Sequence, residues 1–338
     1  MPKFSIIIPV RKINDYVKES ISHIKELDYQ DYEVFVVTDE KEDYDFSDPR
    51  IKIITSGNVG PGEKRNLAAK LSKGDILAFL DDDSYPEKNW LSKAEKIFED
   101  SDVYALGGPA ATPKDAEYLE RMAGWFFESY VVSGTTTYRY RPEKKMLVDD
   151  YPTVNLFVRK SAFEEVSGFT KDFWPGEDTK LCLDLVKKFG RKFPYDPEVL
   201  VYHHRRNIFK PYLKQISRYG RHRGRFARIF PQTSRVPMYF VPSAFVLFLF
   251  GGFIISLLFS PFVYFYITIL VIYFYFLWKI ARRISKLEGG SYRALLDSFK
   301  GIFLTHLFYG TNFLIGMMSK TELKLKRYDK KTGNYVEG

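Results

Sequence analysis

The chain has 338 residues, enough for one large or two ordinary domains with a substantial core. Its formal net charge of +9 hides an asymmetry: residues 1–200 hold 29 Lys+Arg against 37 Asp+Glu, whereas residues 201–338 hold 22 against 5. An acidic front and a basic, apolar back argue against a uniformly soluble protein and place a membrane surface or nucleic acid beside the back half, while a single cysteine excludes an intrachain disulfide.

The N-terminus enters a strand directly, Lys3–Val10 with Pro9 near its end, and lacks the length and small-residue cleavage site of a signal peptide. Apolar runs at Phe4–Ile8, Val34–Val37, Ile51–Ile54 and Ile76–Leu80 read as strands, with helical stretches near Tyr16–Leu27 and Gly62–Leu71 between them. Continuous apolar strands alternating with helices imply an α/β fold with a mostly parallel sheet covered on both faces. Further strands are expected at Val103–Gly107, Val154–Arg159 and Val199–Tyr202, and helices at Ser161–Val166 and Asp178–Phe189. Cys182 falls on the last helix, where a small core residue is the expected role.

Past Tyr202 the pattern changes. Nine Lys+Arg lie between Arg205 and Arg228, and no acidic residue occurs between Glu198 and Glu288. Met238–Phe259 is 22 residues without a charge, and Phe262–Trp278 is 17. The first is long enough to cross a hydrocarbon core of about 30 Å at about 1.5 Å per residue, and the second is at the short end of the spanning range. A third apolar stretch, Gly301–Ser319, carries His306, Asn312 and three glycines. Spanning, re-entrant and interfacial readings are all open for it. Six basic residues precede it in Lys279–Lys300 and six follow Ser319, so the positive-inside rule does not choose.

Leu80-Asp81-Asp82-Asp83-Ser84 ends a buried strand in three carboxylates. Like charges this close repel unless a cation sits among them, and a hard divalent ion takes such oxygen ligands while bridging to phosphates. The competing reading is a solvated acidic turn, because Ser84-Tyr85-Pro86-Glu87 resembles a helix start. Asp39 ends the second strand and reads as a turn residue or a nucleobase contact. Gly60-Pro61-Gly62-Glu63-Lys64-Arg65-Asn66 opens a helix, where backbone N–H groups with Lys64 or Arg65 can face a nucleotide. Gly176-Glu177-Asp178 precedes a helix, with Asp178 an N-cap or a general base. His203-His204 at a strand end offers a metal ligand, and Gln215-Ile216-Ser217-Arg218-Tyr219 follows in the basic stretch.

Taken in order from Lys3 to about Tyr219, these residues resemble the membrane-bound glycosyltransferases of family 2, with a GT-A fold and three membrane helices. The resemblance implies a Rossmann-like catalytic domain over residues 1–204, a basic interfacial segment 205–237, a membrane region 238–319 with helices at about 238–259, 262–278 and 301–319, and a basic tail 320–338. It implies Asp178, with Glu177 and Arg218, as the catalytic group. Donor binding would involve Pro9, Arg11, Asp39, Lys64, Arg65, Asp81, Asp82, Gln215 and Tyr219. The metal, Mn²⁺ or Mg²⁺, would be held by Asp83 with Asp81 and either His203 or His204. Two departures fall at the nucleobase end: Pro9 is followed by Val10-Arg11-Lys12, and Thr38-Asp39 replaces a paired aspartate.

The expected activity is an inverting single displacement from a nucleoside-diphosphate sugar to a hydroxyl of a membrane-associated glycan or lipid-linked acceptor. A polyprenyl-phosphate sugar synthase and a non-catalytic membrane-anchored nucleotide-sugar scaffold are the alternatives. Membrane lipids are the expected partner and nucleic acid is not, because the basic stretch abuts two apolar helices. The expected location is the cell membrane, multi-pass, with the catalytic domain cytoplasmic.

Overall fold

The computed structural model describes residues 3–171, 173, 175–319, 327–329 and 334–336; most of the basic tail 320–338 lies outside them. In chain order the elements are β1 (Phe4–Pro9), α1 (Asp15–Lys25), β2 (Tyr32–Thr38), β3 (Ile51–Thr55), α2 (Pro61–Leu71), β4 (Ile76–Leu80), β5 (Ser84–Pro86) and α3 (Trp90–Phe98). There follow β6 (Ala105–Gly107), β7 (Ala110–Ala111), α4 (Tyr118–Phe127), α5 (Tyr130–Ser133), β8 (Met146–Val148), β9 (Asn155–Arg159), α6 (Lys160–Glu165), α7 (Glu177–Phe189), β10 (Phe193–Tyr195) and β11 (Val201–His203). The C-terminal part is helical: α8 (Lys210–Ile229), α9 (Pro231–Ser234), α10 (Pro237–Leu258), α11 (Pro261–Leu287) and α12 (Tyr292–Met318).

The chain divides into two compact units. The first comprises residues 1–113 and 138–204 together with 321–338, and the second comprises 114–137 with 205–320. In the first, eight strands run in the order β3-β2-β1-β4-β9-β6-β10-β8. Strands β1 to β4 are mutually parallel, and β9 is inserted antiparallel between β4 and β6. This is the expected α/β architecture with a mostly parallel GT-A-like sheet. Every residue of β1, β2 and β4 is buried, as a sheet covered on both faces requires. Phe4, Ile6 and Ile8 face one apolar cluster with Val17, Ile21 and Ile24 of α1, and Ile7 faces the other with Phe79, Phe163 and Leu181. Cys182 is in this second cluster, and burial pushes its thiol pKa well up, so it is a core residue and not a nucleophile.

A second sheet, β5-β11-β7, corrects the sequence reading at Ser84. Ser84–Pro86 is a strand paired antiparallel with Val201–His203, and the next helix begins only at Trp90. The helix-start residue types were present, but pairing with a strand more than a hundred residues away overrides a local preference.

In the second unit, α8 buries Leu213, Ile216, Gly220 and Ala227 at helical spacing and leaves Lys214, Arg218, Arg221 and Arg228 exposed. Among the described residues three helices, α10, α11 and α12, are long and apolar enough to cross a membrane. Two of them exceed the expected bounds. α11 continues past Trp278 through Lys279, Arg282, Arg283 and Lys286, and α12 starts at Tyr292, nine residues before Gly301. Helix α4 packs with these helices. Its Arg121 and Trp125 both donate to Glu288 between α11 and α12, at 2.8 Å for Arg121 Nη2 and for Trp125 Nε1. Arg121 holds the Glu288 carboxyl below its ordinary range.

Candidate active site

The site in the first unit lies where strands end. Strand β4 delivers Asp81, whose carbonyl accepts from Ser84 N at 3.2 Å and from Ser84 Oγ at 2.8 Å, so the three aspartates form a closed turn before β5. Because β11 pairs with β5, His203 sits opposite Ser84 and its Nε2 lies 3.0 Å from Asp83 Oδ1. Asp81, Asp83 and His203 each offer one ligand atom, all within 4.8 Å of one another, a group that can hold a metal ion. Two carboxylates with an imidazole suit a divalent cation that prefers oxygen but accepts nitrogen.

The structure separates the two histidines that the sequence left as alternatives. Successive side chains of an extended segment point to opposite faces. His204 accordingly turns away: its Nε2 lies 2.9 Å from Glu19 Oε2 on α1, while its backbone N–H donates to the Asp83 carbonyl at 2.9 Å. It supports the turn from behind and is not a member of the metal-capable group.

Helix α2 supplies the counter-charge. Gly60 caps it with Glu63 reaching back, and Pro61 pre-sets its first turn. That start aims Lys64 and Arg65 inward, where they are 3% and 2% exposed. Arg65 forks between two carboxylates, Nη2 at 2.7 Å from Asp81 Oδ1 and Nη1 at 3.3 Å from Glu177 Oε1. Its five fixed donors suit this bridging better than a lysine would. Lys64 donates to the Val10 carbonyl and ion-pairs with Asp39. Asp39 is tied back again through its own N–H to the Arg11 carbonyl at 2.9 Å. Pro9 is buried at the end of β1 and Arg11 is exposed. The next residue, Asn66, clamps the segment before α7: its Nδ2 donates to the Phe169 carbonyl at 2.7 Å and its Oδ1 accepts from Phe169 N at 2.9 Å.

Electrostatics mark the cluster as short of positive charge. Burial first, then Asp83 and Asp81, pushes Asp82 up to about 6, with Asn14 Nδ2 at 3.1 Å opposing this. Burial and then Asp178 push Glu177 up to about 7 against the pull of Arg65. Burial pulls Lys64 down despite Asp39. A bound cation would reverse the pressure on the aspartates. Asp178 is half-buried in the first turn of α7, and its Oδ1 accepts from Thr179 N at 2.7 Å. Gly176 precedes this turn at φ 116°, a conformation that side chains resist.

Residues 5–167 match the model of glycosyl transferase family 2. The chain carries a glycosyl transferase family 2 domain. The chain is 25% identical over 224 residues to a pre-mycofactocin glycosyltransferase of Mycobacterium tuberculosis, covering 64% of this chain and 46% of that protein. It is 28% identical over 189 residues to glycosyltransferase AglE of Haloferax volcanii, covering 53% and 59%. The chain thus spans about half the length of these curated relatives. Among solved structures, a mannosyltransferase from Pyrobaculum calidifontis, in complex with GDP-Man and Mn²⁺, superposes with a TM-score of 0.62 at 15% identity, covering 95% of this chain and 88% of that one. At that identity the likeness shows a shared fold.

Of the remaining expected site residues, Gln215, Arg218 and Tyr219 lie on α8 in the second unit. Gln215 Nε2 donates to Tyr219 Oη at 2.9 Å, and Arg218 is exposed. Sequence reasoning missed Asn14, which caps α1 through Val17 N at 2.9 Å and holds Asp82, and Glu19, which holds His204. The Asn14-Asp15 pair before an apolar-periodic run was a legible cap signal; nothing local announced Glu19.

Proposed function

We propose that this protein is a metal-dependent inverting glycosyltransferase, moving a sugar from a nucleoside-diphosphate sugar to a hydroxyl of a membrane-associated glycan or lipid. The observation that carries this reading is the meeting of Asp81, Asp83 and His203 at the end of a parallel strand, the two aspartates lying within the residues that match family 2. When bound there, Mn²⁺ or Mg²⁺ would supply positive charge to the leaving diphosphate.

The rest is assigned to the chain's own side chains. Asp178 takes the proton of the acceptor hydroxyl as that oxygen forms its bond to the anomeric carbon. The bond from that carbon to the diphosphate breaks on the opposite side, and the nucleoside diphosphate leaves with the electron pair. Glu177 is a positioning residue: held by Arg65, it links the first turn of α7 to Asp81. Arg65 is likewise positioning, because its donors go to carboxylates of the protein. We assign the donor's base and ribose to the ends of β1, β2 and β4, with Asp39 and Asp82. Arg218, with Gln215 and Tyr219, is assigned the leaving diphosphate on the strength of the family resemblance. A phosphate acceptor is already ionised and needs no base, so a carboxylate in the place of Asp178 favours a hydroxyl acceptor. We place the protein in the cell membrane as a multi-pass chain with its catalytic unit cytoplasmic, because nine Lys+Arg in residues 205–228 precede the first apolar helix.

The test is nucleoside-diphosphate release from a panel of GDP- and UDP-sugars, starting with GDP-mannose, with Mn²⁺, Mg²⁺ or EDTA. Release from one donor that needs metal and vanishes in Asp83→Ala is the expected result. Donor binding that is indifferent to metal, with no release from any donor, would overturn the reading in favour of a scaffold.

A further inference from the structure

The three apolar helices meet one another in a way that three membrane passes do not allow. Only Phe259 and Ser260 separate α10 from α11, so these two form a hairpin. A third pass would then have to run in the direction of α10. The register between α12 and α10 runs the other way. Phe240 meets Phe313 edge-to-face at 4.8 Å, Ser243 Oγ donates to the Gly310 carbonyl at 3.1 Å, and Phe245 lies 6.2 Å from both His306 and Phe303. Ascending α10 means descending α12.

Helix α12 also opposes α11. Ser285 Oγ donates to the Ser291 carbonyl at 2.7 Å, Phe274 faces Phe299 at 5.9 Å, and Tyr273 Oη hydrogen-bonds His306 Nδ1 at 2.8 Å. The α10–α11 pair is antiparallel in its turn, with Phe245 on Tyr273 at 4.2 Å and Phe248 on Tyr266 at 5.4 Å. Three helices that each oppose the other two cannot all stand along one membrane normal, because two of any three must share a direction. One of them lies across.

Composition and packing identify which. The uncharged stretches 238–259 and 262–278 belong to α10 and α11, whereas α12 opens with Arg293, Asp297 and Lys300. Backbone on backbone, α12 rests against the basic helix α8. A Cβ added at Gly220 would come 2.5 Å from the Tyr309 oxygen, at Gly224 2.1 Å from that of Phe313, and at Gly316 2.1 Å from that of Arg221. Were α12 to cross, it would draw α8 into hydrocarbon with Arg218, Arg221, Arg223, Arg225 and Arg228, and guanidinium groups at that depth are costly. The outward residues of α12 form a stripe of Leu296, Phe308, Ile315 and Met318, each more than 40% exposed. That is the face an in-plane helix presses into the acyl boundary.

We propose that α12 does not cross the membrane but lies in its interface beside α8. The described residues then cross twice, and the α11–α12 connection and the end of α12 at Met318 share the side from which α10 enters. Charge supports this independently. Three passes would put the six basic residues of Lys279–Lys300 and the six beyond Ser319 on opposite sides. Two passes gather both on one side together with the nine of residues 205–228, as the positive-inside rule requires.

Single-cysteine labelling of the full chain tests this. In a Cys182→Ser background, Ser260→Cys, Lys286→Cys and Gly338→Cys are probed in sealed membrane vesicles with a membrane-impermeant maleimide, before and after permeabilisation. Cysteines at 286 and 338 are expected to react from one side and the cysteine at 260 from the other. Reaction of the cysteine at 338 from the same side as that at 260 overturns the proposal. A side-sensitive reporter fused after Gly338 of the otherwise unaltered chain repeats the readout, so a failure of the Cys182→Ser background to fold leaves the question answerable.

Discussion

The two units solve opposite packing problems. At the ends of β4 and β11 in the first, like charges crowd together and are held by side chains: Arg65 between Asp81 and Glu177, Lys64 on Asp39, His203 on Asp83. Along α8 and α12 in the second, side chains are removed so that backbones touch, at Gly220, Gly224 and Gly316. Where charge is the problem, a mutation acts by leaving a partner unpaired. Where closeness is the problem, it acts by adding an atom.

The sharpest contrast comes from Arg65. Arg65→Met leaves Asp81 and buried Glu177 without their cation and is expected to lower stability by about 3–5 kcal/mol, as for other broken buried pairs. A melting curve on detergent-solubilised protein measures it, with exposed Arg218→Ala expected to melt like the parent. Next in size, Asp83→Ala is expected to cut donor turnover about 100-fold or more, a barrier of about 2.7–4 kcal/mol by analogy with a lost oxyanion donor. Its melting temperature should stay near that of the parent, which separates chemistry from folding. In the helical unit, Gly224→Ala sets a methyl group 2.1 Å from a backbone oxygen that cannot rotate away. About 1–3 kcal/mol of overpacking cost is expected, read as lowered unfolding temperature. Gly289→Ala introduces no such clash, since nothing lies within 4 Å, and costs only what its φ of +71° imposes.

The smallest effect is a pH dependence in the second unit. Hydrogen bonding by Arg121 depresses the Glu288 carboxyl below its ordinary value of 4.5. A depressed carboxylate contributes stability that is fully present above that ordinary value and is lost as pH falls through the folded one. Melting temperature should therefore fall on acidification below about pH 4.5 by more in the parent than in Glu288→Gln. Equal slopes in the two would mean that the Arg121–Glu288 contact adds no pH-dependent stability.

Much of the first unit was legible in the chain because its signals are local. Strands β1 to β4 are continuous apolar runs, α1, α2 and α7 follow Asn14, Gly60 and Gly176, and the aspartates of the 81–83 turn sit where β4 stops. What escaped depends on distant partners. Ser84–Pro86 became a strand because Val201–His203 lies beside it, and the same pairing chose His203 over His204. The pairing of Arg65 with Glu177 was not legible either, because no local rule shows Glu177 arriving from 112 residues away. In the second unit, composition marks apolar helices but carries no sign of their direction. Helix α4 was missed although Leu119, Met122, Phe126 and Phe127 follow helical spacing, since it lies in a stretch bordered by strands.

The glycine contacts between α8 and α12 bear on how such proteins can be recombined. A seam in which Gly220 and Gly224 receive the backbone of one helix, and Gly316 that of the other, has no slack for a foreign partner. A chimera that takes its C-terminal helix from a relative should therefore take the basic helix with it, as a matched pair exchanged whole.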